Sequence, residues 1–290
     1  VDPRILDRLR CPVCGEPLAE ATAGTTSALR CPRRHSFDIA RQGYVNLLAG
    51  RAPHVGDSAE MVAARADFLA AGHYDLISAA LSAAATEAAG RPRAMPDFEA
   101  YPLVVDAGAG TGRYLGAVLA ALPDAVGLAL DVSKPALRRA ARAHPRAAAA
   151  LADTWQRLPL ADASTAVLLN VFAPRNGPEF HRVLDPAGAL LVVTPDTDHL
   201  AELVVALDLL RVDPDKADRV AASLGGHFTL VSSAVHRAEM ALTRPEVATL
   251  VGMGPSAWHA DPAALATRLA ALPEPVRVTV AVRIDVLRPR

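Results

Sequence analysis

The stretch LVVDAGAGTGRY, residues 103–114, constrains this chain more than any other. Its apolar head is too short for a core helix and too uniformly apolar for a strand with one wet face. It ends in three alternate glycines, Gly108, Gly110 and Gly112, and runs into the apolar-rich segment RYLGAVLAAL. Such a strand must be covered on both faces, which is the condition of a strand inside a parallel sheet. The glycines allow the chain to turn tightly into the helix and let a ligand approach its backbone. The pattern then repeats. AVGLALD (125–131), AAALAD (148–153), STAVLLNVFA (164–173) and GALLVVTP (188–195) read as strands. PALRRAARAH lies between the first two of them as a helix, HLAELVVALDLL follows as another, and VRVTVAVRIDVL (276–287) alternates as a terminal strand. The expected fold class is therefore α/β, a doubly wound parallel sheet. No internal repeat is visible.

The loop also narrows the ligand. A dinucleotide fingerprint would place its last glycine at position 113, which is Arg113. The spacing here is Gly-x-Gly-x-Gly with Asp106 two residues ahead, which suits the amino-acid end of S-adenosylmethionine, a cofactor without a pyrophosphate. Asp131 ends the second strand, where a carboxylate can accept the ribose hydroxyls. Asp153 ends the third, within reach of the adenine amino group. An NAD-binding domain or an empty α/β domain is the alternative. After the fourth strand comes NVFAPRN (170–176), in which Asn170, Phe172 and Pro174 are candidates to hold a planar base. The order is not Asn-Pro-Pro-Tyr, which argues against methylation of an exocyclic amine. A core role for Phe172 is the plain alternative.

All three cysteines lie near the start, as Cys11-x2-Cys14-x16-Cys31, and His35 follows. In a reducing compartment this is no disulfide framework. The spacing suits one tetrahedral zinc ion on Cys11, Cys14, Cys31 and His35. Four protein ligands close the shell, so the ion is structural. Three unconnected thiols beside a surface histidine would be the alternative. No thioredoxin-like strand precedes the Cys-x-x-Cys, which sets a redox motif aside.

Half of the residues are apolar and the net charge is -1, so the whole chain does not advertise nucleic acid. Residues 1–54, however, hold eight arginines against five acids. No apolar run approaches the roughly 18 residues of a membrane span, and no signal core is present. A soluble cytoplasmic protein is expected. Ser58 is a candidate N-cap of a helix that Gly72 interrupts, a second helix runs from about Tyr74 to Ala89, and GRPRAMPDFEAYP (90–102) reads as a linker. The expected organisation is a zinc-binding RNA-recognition module over 1–42, a helical connecting segment and linker over 43–100, and the cofactor domain over 101–290.

Taken together, CPVC, CPRRHSFDIARQGYVNLL, GDSAEMVAARADFLAAGHY, DAGAGTG, LDVSKPALRRAARAHP, TPDTDHLAEL and MGPSAWH resemble the rRNA (guanine-N1)-methyltransferases of the RlmA family along the whole chain. NVFAPRN and MGPSAWH are most similar to its actinomycete branch, which confers resistance to tylosin- or mycinamicin-type macrolides. The resemblance implies a Rossmann-like class I methyltransferase domain behind the zinc module. It also implies methylation of one guanine N1 in a domain II hairpin loop of 23S rRNA. It implies the same four zinc ligands, and cofactor contacts from Tyr74, from the loop Gly108–Gly112 including Thr111, and from His199. The target base must be unpaired or extruded, because pairing hides N1. No general base stands out; Asp196 and Asp198, after the fifth strand, are candidates. Arg33, Arg34 and Arg41 are candidate phosphate contacts, whereas Arg138, Arg139 and Arg142 read as a solvated helix face. The expected partner is the rRNA hairpin, with no membrane, and the oligomeric state is left open, a homodimer being one option. Two rival functions share parts of the pattern: a small-molecule methyltransferase, which leaves the basic zinc module without a purpose, and a non-catalytic zinc-ribbon RNA-binding protein, which leaves the strand-end acids without one.

Overall fold

The structure, a computed structural model, describes residues 1–23, 26–50, 56–90, 101–209, 219, 222–254 and 261–290. Most of the expected linker (91–100) and the end of the MGPSAWH motif (255–260) lie outside the described residues.

The chain opens with one helical turn, α1 (Pro3–Leu6), and an antiparallel sheet of β1 (Ala19–Ala23), β2 (Thr26–Arg30) and β3 (Ser36–Asp38). β4 (Tyr44–Asn46) then leaves this small sheet. Next come the helices α2 (Ala59–Ala70) and α3 (Asp75–Ala89). Ser58 is indeed the N-cap of α2: its side chain accepts a hydrogen bond from the Met61 amide at 3.2 Å. Gly72, with φ +84°, turns the chain between the two helices in a conformation that suits glycine.

β5 (Leu103–Ala107), α4 (Arg113–Ala121), β6 (Val126–Asp131), α5 (Lys134–Ala140), β7 (Ala147–Leu151), β8 (Thr165–Val171), α6 (Gly177–Val183), β9 (Leu184–Pro195) and α7 (Ala201–Leu207) form the alternating core. Two elements close it: β10 (Phe228–Leu242) and β11 (Val276–Pro289), separated by α8 (Arg244–Gly252) and α9 (Pro262–Ala270). One eight-stranded sheet results, in the order β10-β11-β9-β8-β5-β6-β7-β4. Every pair from β9 to β4 is parallel, and β11 runs antiparallel to both β9 and β10. β10 escapes the sequence reading for a physical reason. Among the described residues it has a single neighbour, and its apolar Leu230, Val231 and Val235 are exposed, so no burial pattern marks it.

The sheet has two apolar faces. On one, Val104, Ala129, Leu169 and Val193 pack with Phe68, Leu81 and Leu115 from the helices. On the other, Val105, Leu128, Leu168 and Leu190 pack with Ile5, Leu9 and Leu29 of the N-terminal segment and Phe180 of α6. The cysteine-bearing segment thus shares its core with the large sheet. A fully buried leucine or isoleucine contributes about 1.5–3 kcal/mol, so these side chains hold the two parts together strongly. Polar ties add to them. The Arg10 amide donates to the Pro159 carbonyl (2.9 Å), the Ala161 amide to the Arg8 carbonyl (2.8 Å), and Arg8 Nη2 to the Tyr101 carbonyl (2.6 Å). β4 is paired in parallel with β7. The arginine excess of this segment is also smaller at the surface than by count: Arg8 is buried, and Arg4 is ion-paired to Asp2 and stacked over Tyr101.

Candidate active site and metal centre

Cys11, Cys14, Cys31 and His35 converge at the front of the N-terminal segment, their ligand atoms all within 4.8 Å of one another. Cys14 and Cys31 Sγ are 3.7 Å apart, and His35 Nδ1 lies 3.5 Å from Cys11 Sγ and 3.4 Å from Cys31 Sγ. Ligands at a Zn–S distance near 2.3 Å in a tetrahedron are separated by roughly 3.8 Å, so the cluster has the dimensions of a zinc shell. Two short turns build it. The Gly15 amide donates to the Cys11 carbonyl (2.8 Å), and the Arg34 amide donates to the Cys31 carbonyl (2.9 Å), with Gly15 at φ +77° and Arg34 at φ +67°. Four protein ligands complete a tetrahedron, so the ion is structural. Arg33 and Arg34, between Cys31 and His35, are exposed, as is Arg41 further along, and Arg33 lies 3.8 Å from Glu16.

The glycine loop joins β5 to α4 where the strand order reverses between β5 and β8, the place at which open α/β sheets bind ligands. Its three glycines are not equivalent. A Cβ on Gly108 would sit 2.5 Å from the Cβ of Ala173, and one on Gly112 2.9 Å from the Ala143 Cβ. Only Gly110 is free of such contact; the side chain of Arg65 is its nearest neighbour. Asp131 fastens the loop. One of its oxygens accepts from the Gly110 amide and the other from the Ser133 amide, both at 2.8 Å. Burial raises its carboxyl above the usual range, opposed by these two donors. Each carboxylate oxygen keeps a further lone pair for a ribose hydroxyl. Asp153 is buried and accepts from the Trp155 amide at 2.9 Å, so it caps the turn after β7.

Asp106 is the test of fit for the cofactor. It is buried beneath the loop, and neither carboxylate oxygen has a hydrogen-bond partner among the described residues. Burial, with the charge of Asp131 adding to it, pushes its carboxyl up to about 8. A buried acid with no partner is unusual in a folded protein, and a ligand ammonium group is the chemistry that would satisfy it. The residues present fit the amino-acid end of S-adenosylmethionine.

The rim is aromatic. The Ala281 amide donates to His199 Nδ1 at 3.2 Å, which places the proton of the neutral ring on Nε2. Nε2 then faces the buried Tyr74 hydroxyl at 3.3 Å. Phe172 stacks on His199 with centroids 6.1 Å apart. Phe172 is 41% exposed and has φ +52°, an unfavourable backbone for an aromatic residue, costing about 1–3 kcal/mol. Tyr74 and His199, 125 positions apart, are thereby brought together with Phe172. Asn170 is placed differently from its neighbours: it is fully buried, and its amide nitrogen donates to the carbonyls of Ala107 (3.2 Å) and Pro174 (2.8 Å). It ties the 172–174 loop to β5, while Pro174 is exposed. Asp196 is paired with Arg283 at 3.3 Å and Asp198 with Arg237. The spacing of the sequence revealed neither arginine, nor Arg65 beside Gly110.

A parallel sheet with an antiparallel β11 inserted between β9 and β10, a glycine loop after β5, and acids at the ends of β6 and β7 define a class I S-adenosylmethionine-dependent methyltransferase. Here it carries a structural zinc site. The family model for the RlmA N-terminal zinc ribbon matches residues 9–52. A protein of Micromonospora griseorubida assigned as a 23S rRNA (guanine-N1)-methyltransferase is 67% identical, over 99% of this chain and 99% of its own length. The 23S rRNA (guanine(748)-N(1))-methyltransferase of Streptomyces fradiae is 50% identical over 97% and 96%, and a Bacillus subtilis protein, YxjB, is 30% identical over 96% and 95%. The chain belongs to the RlmA family of 23S rRNA (guanine-N1)-methyltransferases.

Proposed function

We propose that this enzyme methylates N1 of the guanine that its Streptomyces fradiae relative is named for, position 748 of 23S rRNA, in a hairpin loop of domain II. The observation that carries this reading is the 50% identity to that relative over nearly the full length of both chains. The biological result is resistance to tylosin- or mycinamicin-type macrolides, and the place of action is the cytoplasm, where the ribosome is. No helix among the described residues is long and apolar enough to cross a membrane.

The proposed division of labour follows the geometry. The segment 1–42 grips RNA through Arg33, Arg34 and Arg41. Asp106, the loop Gly108–Gly112 with Thr111, Asp131 and Asp153 hold the cofactor, with Tyr74 and His199 closing its rim. S-adenosylmethionine, when bound, supplies an electrophilic methyl group. Phe172, exposed beside the loop, offers its face to an extruded guanine, and Pro174 borders it. Asn170 supports that platform from beneath by fixing the loop. Asp196 and Asp198 are held in ion pairs, so orientation of N1 toward the methyl group carries much of the rate. Loss of the N1 proton is left to solvent or to one of these acids after its arginine partner moves. Primer extension on 23S rRNA from cells with and without the gene tests the reading. A reverse-transcription stop at position 748 that depends on the gene is expected; a stop elsewhere in domain II, or none, would overturn it.

A further inference from the structure

S-adenosylmethionine carries both an ammonium and a carboxylate at its amino-acid end. Asp106 offers a partner for the first. The glycine motif offers only Arg113, at its end, for the second.

Arg65 lies on α2, outside the glycine motif, yet its side chain reaches the loop. A Cβ built on Gly110 would lie 3.6 Å from Arg65 Nη1 and 3.8 Å from its Cδ. Gly110 is also the glycine of this loop that, among the described residues, no backbone or apolar side chain approaches. The guanidinium is held by two partners from separate parts of the chain. Nη1 is ion-paired with Asp57, and Nη2 donates to the Met253 carbonyl at 2.7 Å. Asp57 is in turn fixed to the turn after Asp131, because the Ser133 hydroxyl donates to its carbonyl at 2.8 Å. Gly56 packs so closely on Ser133 that a Cβ there would come within 2.8 Å of its backbone nitrogen. An arginine fork has five N–H groups and can serve more than one carboxylate. The other cation at the loop, Arg113, is turned outward: it is 42% exposed and paired with the surface residue Asp75. Both arginines act on the buried Tyr114, but of the two only the charge of Arg65 acts on Asp131 at the loop.

We infer that Arg65 receives the α-carboxylate of the cofactor, oriented for it by Asp57 and the Met253 carbonyl. With Asp106 it forms a pair of opposite charges that matches the zwitterionic end of the ligand across the glycine loop. This role for Arg65 rests on the Gly108–Gly112 loop being the cofactor cradle.

Calorimetry with two ligands tests this. One is S-adenosylhomocysteine; the other is its decarboxylated analogue, which keeps the ammonium and lacks the carboxylate. Wild-type protein should bind the analogue at least about tenfold more weakly, the loss of one charge-assisted interaction. Arg65→Met should weaken S-adenosylhomocysteine by a similar factor and leave the analogue little changed, and Arg65→Lys should recover part of the loss. Equal weakening of both ligands by Arg65→Met would mean that the arginine only braces Asp57 and Met253, and the assignment falls. Equal affinity of wild-type protein for both ligands overturns it without any variant. If Arg65→Met lowers RNA affinity alone, the arginine meets a phosphate and the assignment is again wrong. The underlying reading fails separately: Asp131→Ala would then leave S-adenosylhomocysteine affinity unchanged.

Discussion

Gly108 and Gly110 stand two residues apart in one loop, and alanine at each should do different damage. At Gly108 the added Cβ would lie 2.5 Å from the Ala173 Cβ. Carbon atoms pack at about 3.5–4.0 Å, so the 172–174 loop must retreat by roughly an ångström or more, at an overpacking cost of about 1–3 kcal/mol. The backbone, at φ +87°, adds about 1–2 kcal/mol for any residue with a Cβ. At Gly110 the nearest atom outside the adjoining backbone is 3.6 Å away, on the movable end of Arg65, and φ is +54°. Only the backbone cost of about 1–2 kcal/mol applies there. For a chain of this size each kcal/mol lowers Tm by about 2–4 °C. Gly108→Ala should therefore lower the Tm of the ligand-free protein by about 5–15 °C, and Gly110→Ala by clearly less. The order should reverse in calorimetry with S-adenosylhomocysteine when each loss is compared with the loss of stability, since Gly110 is the open side of the loop. Equal shifts in Tm for the two variants, or a Gly108→Ala protein as stable as wild type, would refute the packing argument.

Other outcomes are set by the same geometry. Wild-type protein should contain one zinc ion per chain and Cys14→Ser none, by elemental analysis. Structural zinc is worth on the order of 10 kcal/mol or more, and the module shares its core with the sheet. Hydrogen exchange in the variant should therefore quicken in β4 and β5 as well as around the cysteines; normal zinc content would sink the assignment. Asp106, whose carboxyl burial pushes up to about 8, binds a proton in the fold that it has lost in the unfolded chain. Its effect is thus absent below the ordinary carboxylate range and costs stability increasingly as pH rises from about 4 to about 8. The stability gap between Asp106→Asn and wild type, measured by denaturant titration without cofactor, should widen in favour of the variant over that window. A constant gap would contradict it. Replacing Arg33 and Arg34 by alanine should weaken binding to a domain II hairpin transcript and flatten its salt dependence by about one unit of slope per lost phosphate contact, with S-adenosylhomocysteine affinity unchanged.

What was legible in the sequence rests on short-range rules. The zinc ligands follow a spacing, the glycine loop follows an apolar strand, and Ser58 announces a helix because its hydroxyl can reach the amide three residues on. The family resemblance added Tyr74 and His199, which no spacing connects. The remainder depends on which distant segments meet. No spacing announces that Gly108 and Gly112 also serve packing, against Ala173 and against Ala140 of α5. Asn170 reads as a base-binding amide, but its nitrogen is committed to two carbonyls inside the fold. Asp196 and Asp198 read as candidate bases, and their arginine partners come from β11 and β10, the latter a strand whose exposed apolar residues hide its period.

β4 gives the enzyme a fixed gauge. It is three residues long and follows the zinc ligands by nine positions; it bridges back to Ile39 and Ala40 of the zinc segment and pairs in parallel with β7 of the cofactor sheet, beside the turn that holds Asp153. The zinc segment is therefore not a hand on a flexible wrist but one jaw of a caliper whose other jaw is the methyl-transfer pocket. If the first jaw grips the hairpin, as proposed above, the guanine is chosen by how far it stands from the grip. A hairpin with its stem lengthened or shortened by a base pair would present the wrong nucleotide, even with the loop sequence intact.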